Sequence, residues 1–86
     1  MQLRPHPDVV WRRLEDEVVL VQLRTNRIYS LNQSAARAWE LLSDGADRGE
    51  IERTLLDEFD VELAEVRRSL DDLLQQLSAT ELISQQ

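Results

Sequence analysis

The run RIYSLNQSAARAWELL, Arg27 to Leu42, changes character in mid-course. Arg27 to Leu31 is rich in β-formers and follows the turn residues RTN, which marks a strand. From Gln33 onward, Ala35, Ala38, Trp39 and Leu42 fall at the i, i+3, i+4, i+7 spacing of one helix face. Only Asn32 stands between, and its side chain can accept from the N–H groups that open a helix. A strand therefore runs into a helix with almost no connector, and the chain must mix the two structures.

The flanks extend both patterns. Asp8 to Leu14, DVVWRRL, alternates loosely and is broken by an acidic pair, as expected for an edge strand and a turn. Glu17 to Leu23, EVVLVQL, is apolar at nearly every position, the mark of a strand with neighbours on both sides. Asn26 can take the left-handed conformation of a tight turn before Arg27 to Leu31 returns as the third strand. After the helix that ends at Gly45, Asp47 caps a second one through Phe59, with Ile51, Leu55 and Phe59 inward and Gly49 weakening its first turn. A third, longer helix carries Leu63, Val66, Leu70, Leu73 and Leu77 in steps of three and four, widened by Leu74. The expectation is an α+β domain: a three-stranded antiparallel sheet followed by three helices, in the order and spacing of a winged helix-turn-helix.

Length limits the rest. A chain of 86 residues buries only about 60% of the surface it exposes when unfolded, so one modest core is expected, over 1–86, with residues 1–7 flexible. There is no cysteine, which removes disulfides, thiolate metal sites and thiol catalysis and fits a cytoplasmic protein. No apolar run approaches membrane-spanning length, and the opening MQLRPHPDVV has no apolar core of a signal peptide. No membrane association is expected.

The ten positive residues are all arginine, against seventeen acids. Residues 1–37 hold six Arg and four acids, residues 38–86 four Arg and thirteen acids. A recognition helix must neutralise phosphates, but the third helix carries Glu62, Glu65, Asp71 and Asp72 beside Arg67 and Arg68. A DNA-binding winged helix is the less favoured alternative, and no nucleic-acid partner is expected. Catalysis also lacks its parts: His6 is the only histidine, set between two prolines, and paired acids such as Asp71 and Asp72 look like a solvated helix face. No catalytic residue, metal or cofactor is expected.

What remains is the edge of the third strand. Arg12, Arg13 and nearby prolines blunt the first strand, whereas Arg27, Ile28, Tyr29, Ser30 and Leu31 include neither proline nor an inward charge. Such an edge invites an incoming strand. If the third helix lies alongside, Arg67, Leu70, Asp71 and Leu74 would form the other wall of a peptide groove. The competing reading is a merely short edge, with Tyr29 and Leu31 filling the core. The same edge leaves a homodimer open.

IYSLNQSAARAWELLSDG, preceded by VVLVQLRTNR and followed by EIERTLLDEFDVELAEVRRSLDDLLQQLSATELI, resembles the PqqD-like family, the RiPP recognition elements of peptide-modifying pathways. The resemblance covers nearly the whole chain. It rests on Tyr29-x-Leu31-Asn32, Ala35 and Ala36 before Trp39, Asp44-Gly45, Phe59-Asp60-Val61 and Leu82-Ile83. It implies a domain without activity of its own that binds the leader segment of a ribosomally made precursor peptide as an extra antiparallel strand on the third strand. Carried onto this sequence, the pairing edge is Arg27 to Leu31 and the helix wall Arg67, Leu70, Asp71 and Leu74. Within the family the chain is most similar to the stand-alone recognition proteins of lasso-peptide clusters. These present the leader to a transglutaminase-like cysteine leader peptidase or another modifying enzyme, and their grooves receive a leader Tyr and Pro. Leu14, Leu20 and Tyr29 are the expected contributors to such pockets. The alternative within the family is a carrier for a radical SAM enzyme, as in pyrroloquinoline quinone biosynthesis.

Overall fold

In the computed structural model, which describes residues 3–85, the elements run β1 (Leu3–Pro5), β2 (Val9–Arg13), β3 (Val18–Gln22), β4 (Arg27–Leu31), α1 (Gln33–Ser43), α2 (Arg48–Glu58), α3 (Leu63–Ala79) and β5 (Ile83–Gln85). The strands β2, β3 and β4 form an antiparallel sheet in that order, with the near-continuous apolar run in the centre. The third strand of the sequence reading is therefore β4.

A second sheet was not expected from the sequence. Residues Leu3–Pro5, read as part of a flexible end, pair antiparallel with Ile83–Gln85, and the His6 N–H donates to the Leu82 carbonyl at 2.9 Å. His6 is thereby placed beside this pair, its Nδ1 accepting from the Asp8 N–H at 3.0 Å. Residues 1 and 2 lie outside the described residues.

Local chemistry sets the helix ends. Asn32 Oδ1 accepts from the Ala35 N–H at 3.0 Å and starts α1 at the residue after β4. Gly45, at φ 92°, ends it with two reversed bonds, Gly45 N–H to the Leu42 carbonyl and Ala46 N–H to the Leu41 carbonyl. This left-handed stop costs glycine least. Asp47 and Glu50 cap each other's backbone at the start of α2, a capping box that offsets Gly49 behind it. Asn26 takes the left-handed conformation in the β3–β4 turn, φ 58°.

The core lies between one sheet face and the helices. Val18 and Leu20 of β3 meet Ala36, Trp39 and Leu42 of α1, Ile51 and Leu55 of α2, Val66, Leu70 and Leu77 of α3, and Leu82 and Ile83 at the end. Trp11 stands edge-on to Trp39, ring centroids 6.2 Å apart at 84°, a favoured aromatic geometry. Gln22 is buried on the same face. Its Nε2 donates to the Glu81 carbonyl at 2.5 Å and its Oε1 accepts from the Arg24 N–H at 3.0 Å, tying the large sheet to the turn before β5. Leu63, placed on the inner stripe of α3 by its spacing, is exposed at the first turn.

Candidate functional site

The site is built from β4. Hydrogen-bond parity decides which of its backbone groups are free. Leu14 N–H donates to the Glu17 carbonyl and Leu23 N–H to the Asp8 carbonyl. In the β2–β3 register the pairs Arg12–Val19 and Val10–Val21 lie two residues further along from these, so they are the hydrogen-bonded ones. Val18, Leu20 and Gln22 must then turn their backbone groups to the other side, toward Leu31, Tyr29 and Arg27. Ile28 and Ser30 are left with N–H and C=O pointing away from β3, and no strand pairs with that edge among the described residues.

Side chains alternate to match. Tyr29 and Leu31 share the core face with Leu20 and Val18 and are half-buried against the core. Ile28 points to the opposite face and is 70% exposed; Arg27 and Ser30 are exposed too. Tyr29 and Leu31 pad the core and also border the unpaired edge.

Where β4 ends, a cavity of about 430 Å³ opens between the start of α1, the end of α2 and α3, and Asn32 lines it. Its floor is apolar, with Ala35, Ala38, Leu55, Val66, Leu70 and Leu73. The flank of α3 on this cavity carries Glu65, Ser69, Asp72 and Gln76, spaced i, i+4, i+7, i+11. A second hollow on Asn32 is lined by Leu14, Glu15, Asp16, Glu17 and Gln33.

The helix wall expected from the sequence is therefore only partly assembled. Leu70 lies in the cavity floor but is 2% exposed and belongs to the core. Leu74 is half-buried against that core and does not line the cavity. Arg67 and Asp71 turn toward α2: Arg67 Nε reaches Glu52 Oε1 at 3.4 Å, and Arg48 Nη1 reaches Asp71 Oδ1 at 2.7 Å. Arg48 also pairs with Glu52 at 3.0 Å and donates through Nη2 to the Arg67 carbonyl at 3.1 Å. Hydrogen bonding from Arg48, with help from Arg67, holds the Glu52 carboxyl below its ordinary range. These charges clamp α2 to α3, so the wall on the cavity moves round the helix to Glu65, Ser69 and Asp72. Leu20, expected near a pocket for the leader, is fully buried, while Leu14 lines the second hollow. The polar stripe from Glu65 to Gln76 was visible in the sequence, but its spacing could not say which side of the apolar stripe would face β4.

Among the described residues no cluster of His, Cys, Asp or Glu could hold a metal ion, and no helix is long and apolar enough to cross a membrane.

A three-stranded antiparallel sheet, three helices and an open outer strand define an α+β, winged helix-turn-helix-like domain. The chain belongs to the PqqD family: the family model described as coenzyme PQQ synthesis protein D matches residues 17–83, from the start of the central strand to β5. Among solved structures it is similar to TbiB1 in complex with the TbiA(β) leader peptide, at 32% identity over 96% of each chain with a TM-score of 0.91. A lasso peptide synthetase B1 complexed with the leader peptide has the same fold, at 22% identity over 99% of this chain and 100% of that one, TM-score 0.89. No curated protein matches the chain.

Proposed function

We propose that this chain binds the leader segment of a ribosomally synthesised precursor peptide, of the lasso class, as an antiparallel strand on β4, and does no chemistry on it. The observation that carries the reading is the free edge: Ile28 and Ser30 offer outward N–H and C=O groups beside the half-buried Tyr29 and Leu31. Family membership and the leader-bound relative of 32% identity support the same assignment. The contact set is Arg27, Ile28, Tyr29, Ser30 and Leu31. From α3, the flank on the cavity joins them through Ser69 and Leu70, with Arg67, Asp71 and Leu74 behind it.

The physical work is ordering. Main-chain pairing fixes the register of a flexible leader, apolar contacts select it, and the attached core peptide is held at high effective concentration near its enzyme. That enzyme would be a transglutaminase-like cysteine leader peptidase or another modifying enzyme, acting in the cytoplasm without nucleic acid or membrane. The family model's own description favours a second reading, in which the partner is a radical SAM enzyme of quinone-cofactor synthesis. A homodimer would use the same edge and compete with the leader.

Fluorescence polarisation with labelled TbiA(β) leader tests the reading. Saturable binding of one peptide per chain, weakened roughly tenfold or more by Ile28→Pro, is the expected result. A folded protein that leaves the leader free overturns it.

A further inference from the structure

The acids round β4 are unevenly placed and gather at its Leu31 end, where Arg12 and Arg13 lie two strands away and Arg13 is paired with Glu40. Five carboxylates gather where the strand ends: Glu15, Asp16 and Glu17 in the hollow on one side of Asn32, Glu65 and Asp72 on the rim of the cavity on the other. None of the five takes part in an ion pair among the described residues, whereas Glu40, Glu52, Glu58, Asp71 and Glu81 each do. At the other end Arg27 opens β4, exposed and without an ion pair among the described residues. Helix-dipole stabilisation accounts for Glu65 in the first turn of α3 but not for Asp72 in its middle. Arg68, three residues from Glu65 and four from Asp72, pairs with neither. Acids concentrated round an apolar-floored concavity raise the local concentration of cations well above what scattered surface acids do.

We propose that this gradient selects the leader by charge and favours one direction: the groove takes a peptide with Lys or Arg just before the β4-paired stretch. The inference rests on strand addition at β4. A strand antiparallel to β4 enters beside Leu31 and leaves beside Arg27, so its N-terminal flank meets the five carboxylates and its C-terminal flank meets a guanidinium. A parallel strand would bring the same basic flank to Arg27, and like charges would oppose it. Asn32 lies at the junction of edge and cavity, which makes the acidic rim continuous with the pairing edge.

The probe is synthetic TbiA(β) leader in three forms: unmodified, with a Lys-Lys pair placed before the strand-forming stretch, and with the pair placed after it. Affinities are read at about 0.02 M and about 0.5 M salt, where the screening length falls from roughly 20 Å to roughly 4 Å. The N-terminal pair should tighten binding roughly three- to tenfold at low salt, as expected for a few partly exposed ion pairs. The gain should vanish at high salt and shrink in Glu65→Gln/Asp72→Asn. The C-terminal pair should give no gain. Equal gains from both placements would mean simple attraction to a chain of net charge −7 and would overturn the inference. If all three forms bind alike and Ile28→Pro still weakens them, strand addition stands and the charge reading falls. If no form binds the folded protein, both fall together.

Discussion

Backbone parity on β4 gives a prediction that side-chain substitutions cannot imitate. Proline removes one N–H, which is harmless on an edge where the group faces solvent and damaging where it pairs. Ile28 and Ser30 point their N–H groups outward, whereas Tyr29 points its own at Leu20. Ile28→Pro and Ser30→Pro should therefore fold. Each lost main-chain bond to the leader is worth about 0.5–1.5 kcal/mol, or roughly two- to twelvefold in affinity. The pyrrolidine ring also occupies the place of the partner carbonyl, so weakening of roughly ten- to a hundredfold is expected once the neighbouring bond is lost as well. Tyr29→Pro instead breaks the ladder beside a half-buried ring, at about 2–4 kcal/mol. For a domain of this size that lowers the melting temperature by roughly 10–30 °C. Thermal melts by circular dichroism and polarisation titrations with labelled TbiA(β) leader separate the two effects. The reasoning is refuted if Ser30→Pro unfolds while Tyr29→Pro melts normally, or if Ile28→Pro binds leader undiminished.

Three further substitutions probe the scaffold. Gln22→Met keeps the shape of the side chain but leaves the Glu81 carbonyl and the Arg24 N–H without their partner, and should cost about 1–3 kcal/mol in urea unfolding. Asn32→Ala removes the cap that starts α1 directly after β4, at about 1 kcal/mol, and should weaken leader binding by loosening the corner of the site. The Glu52 carboxyl is held below its ordinary range by Arg48 and Arg67. Its contribution is therefore full above the ordinary carboxyl range and is lost as pH falls through its lowered folded value. Glu52→Gln should lower stability at neutral pH by about 0.5–1.5 kcal/mol and flatten the acid limb of a stability–pH profile.

The parts of the fold that were legible in the sequence had long, periodic signals. Val18–Gln22 reads as central because it is apolar on both faces, and Asn32, Gly45 and Asp47 punctuate the helices through side-chain or backbone chemistry visible in the residue type. The β1–β5 pair was illegible because three residues carry no period, and its partners lie at opposite ends of the chain. Leu63 misled because it continues the stripe of α3 beyond the depth of the core. For the site, the edge of β4 could be read from what Arg27 to Leu31 lacks. The helix wall could not: Arg67 and Asp71 lie on one flank of the apolar stripe, Glu65 and Ser69 on the other. The ion pairs Arg48–Asp71 and Arg67–Glu52 show which flank faces α2. Spacing gives faces, and tertiary packing chooses among them.

Amide hydrogen exchange by NMR, with and without saturating TbiA(β) leader, tests strand addition at β4 most directly. In the free protein the Ile28 and Ser30 amides should exchange quickly, while Tyr29 is already protected by Leu20. Leader binding should slow Ile28 and Ser30 together and leave Tyr29 little changed, the alternation that an added antiparallel strand imposes. A leader that binds tightly while Ile28 and Ser30 go on exchanging freely would contradict the account.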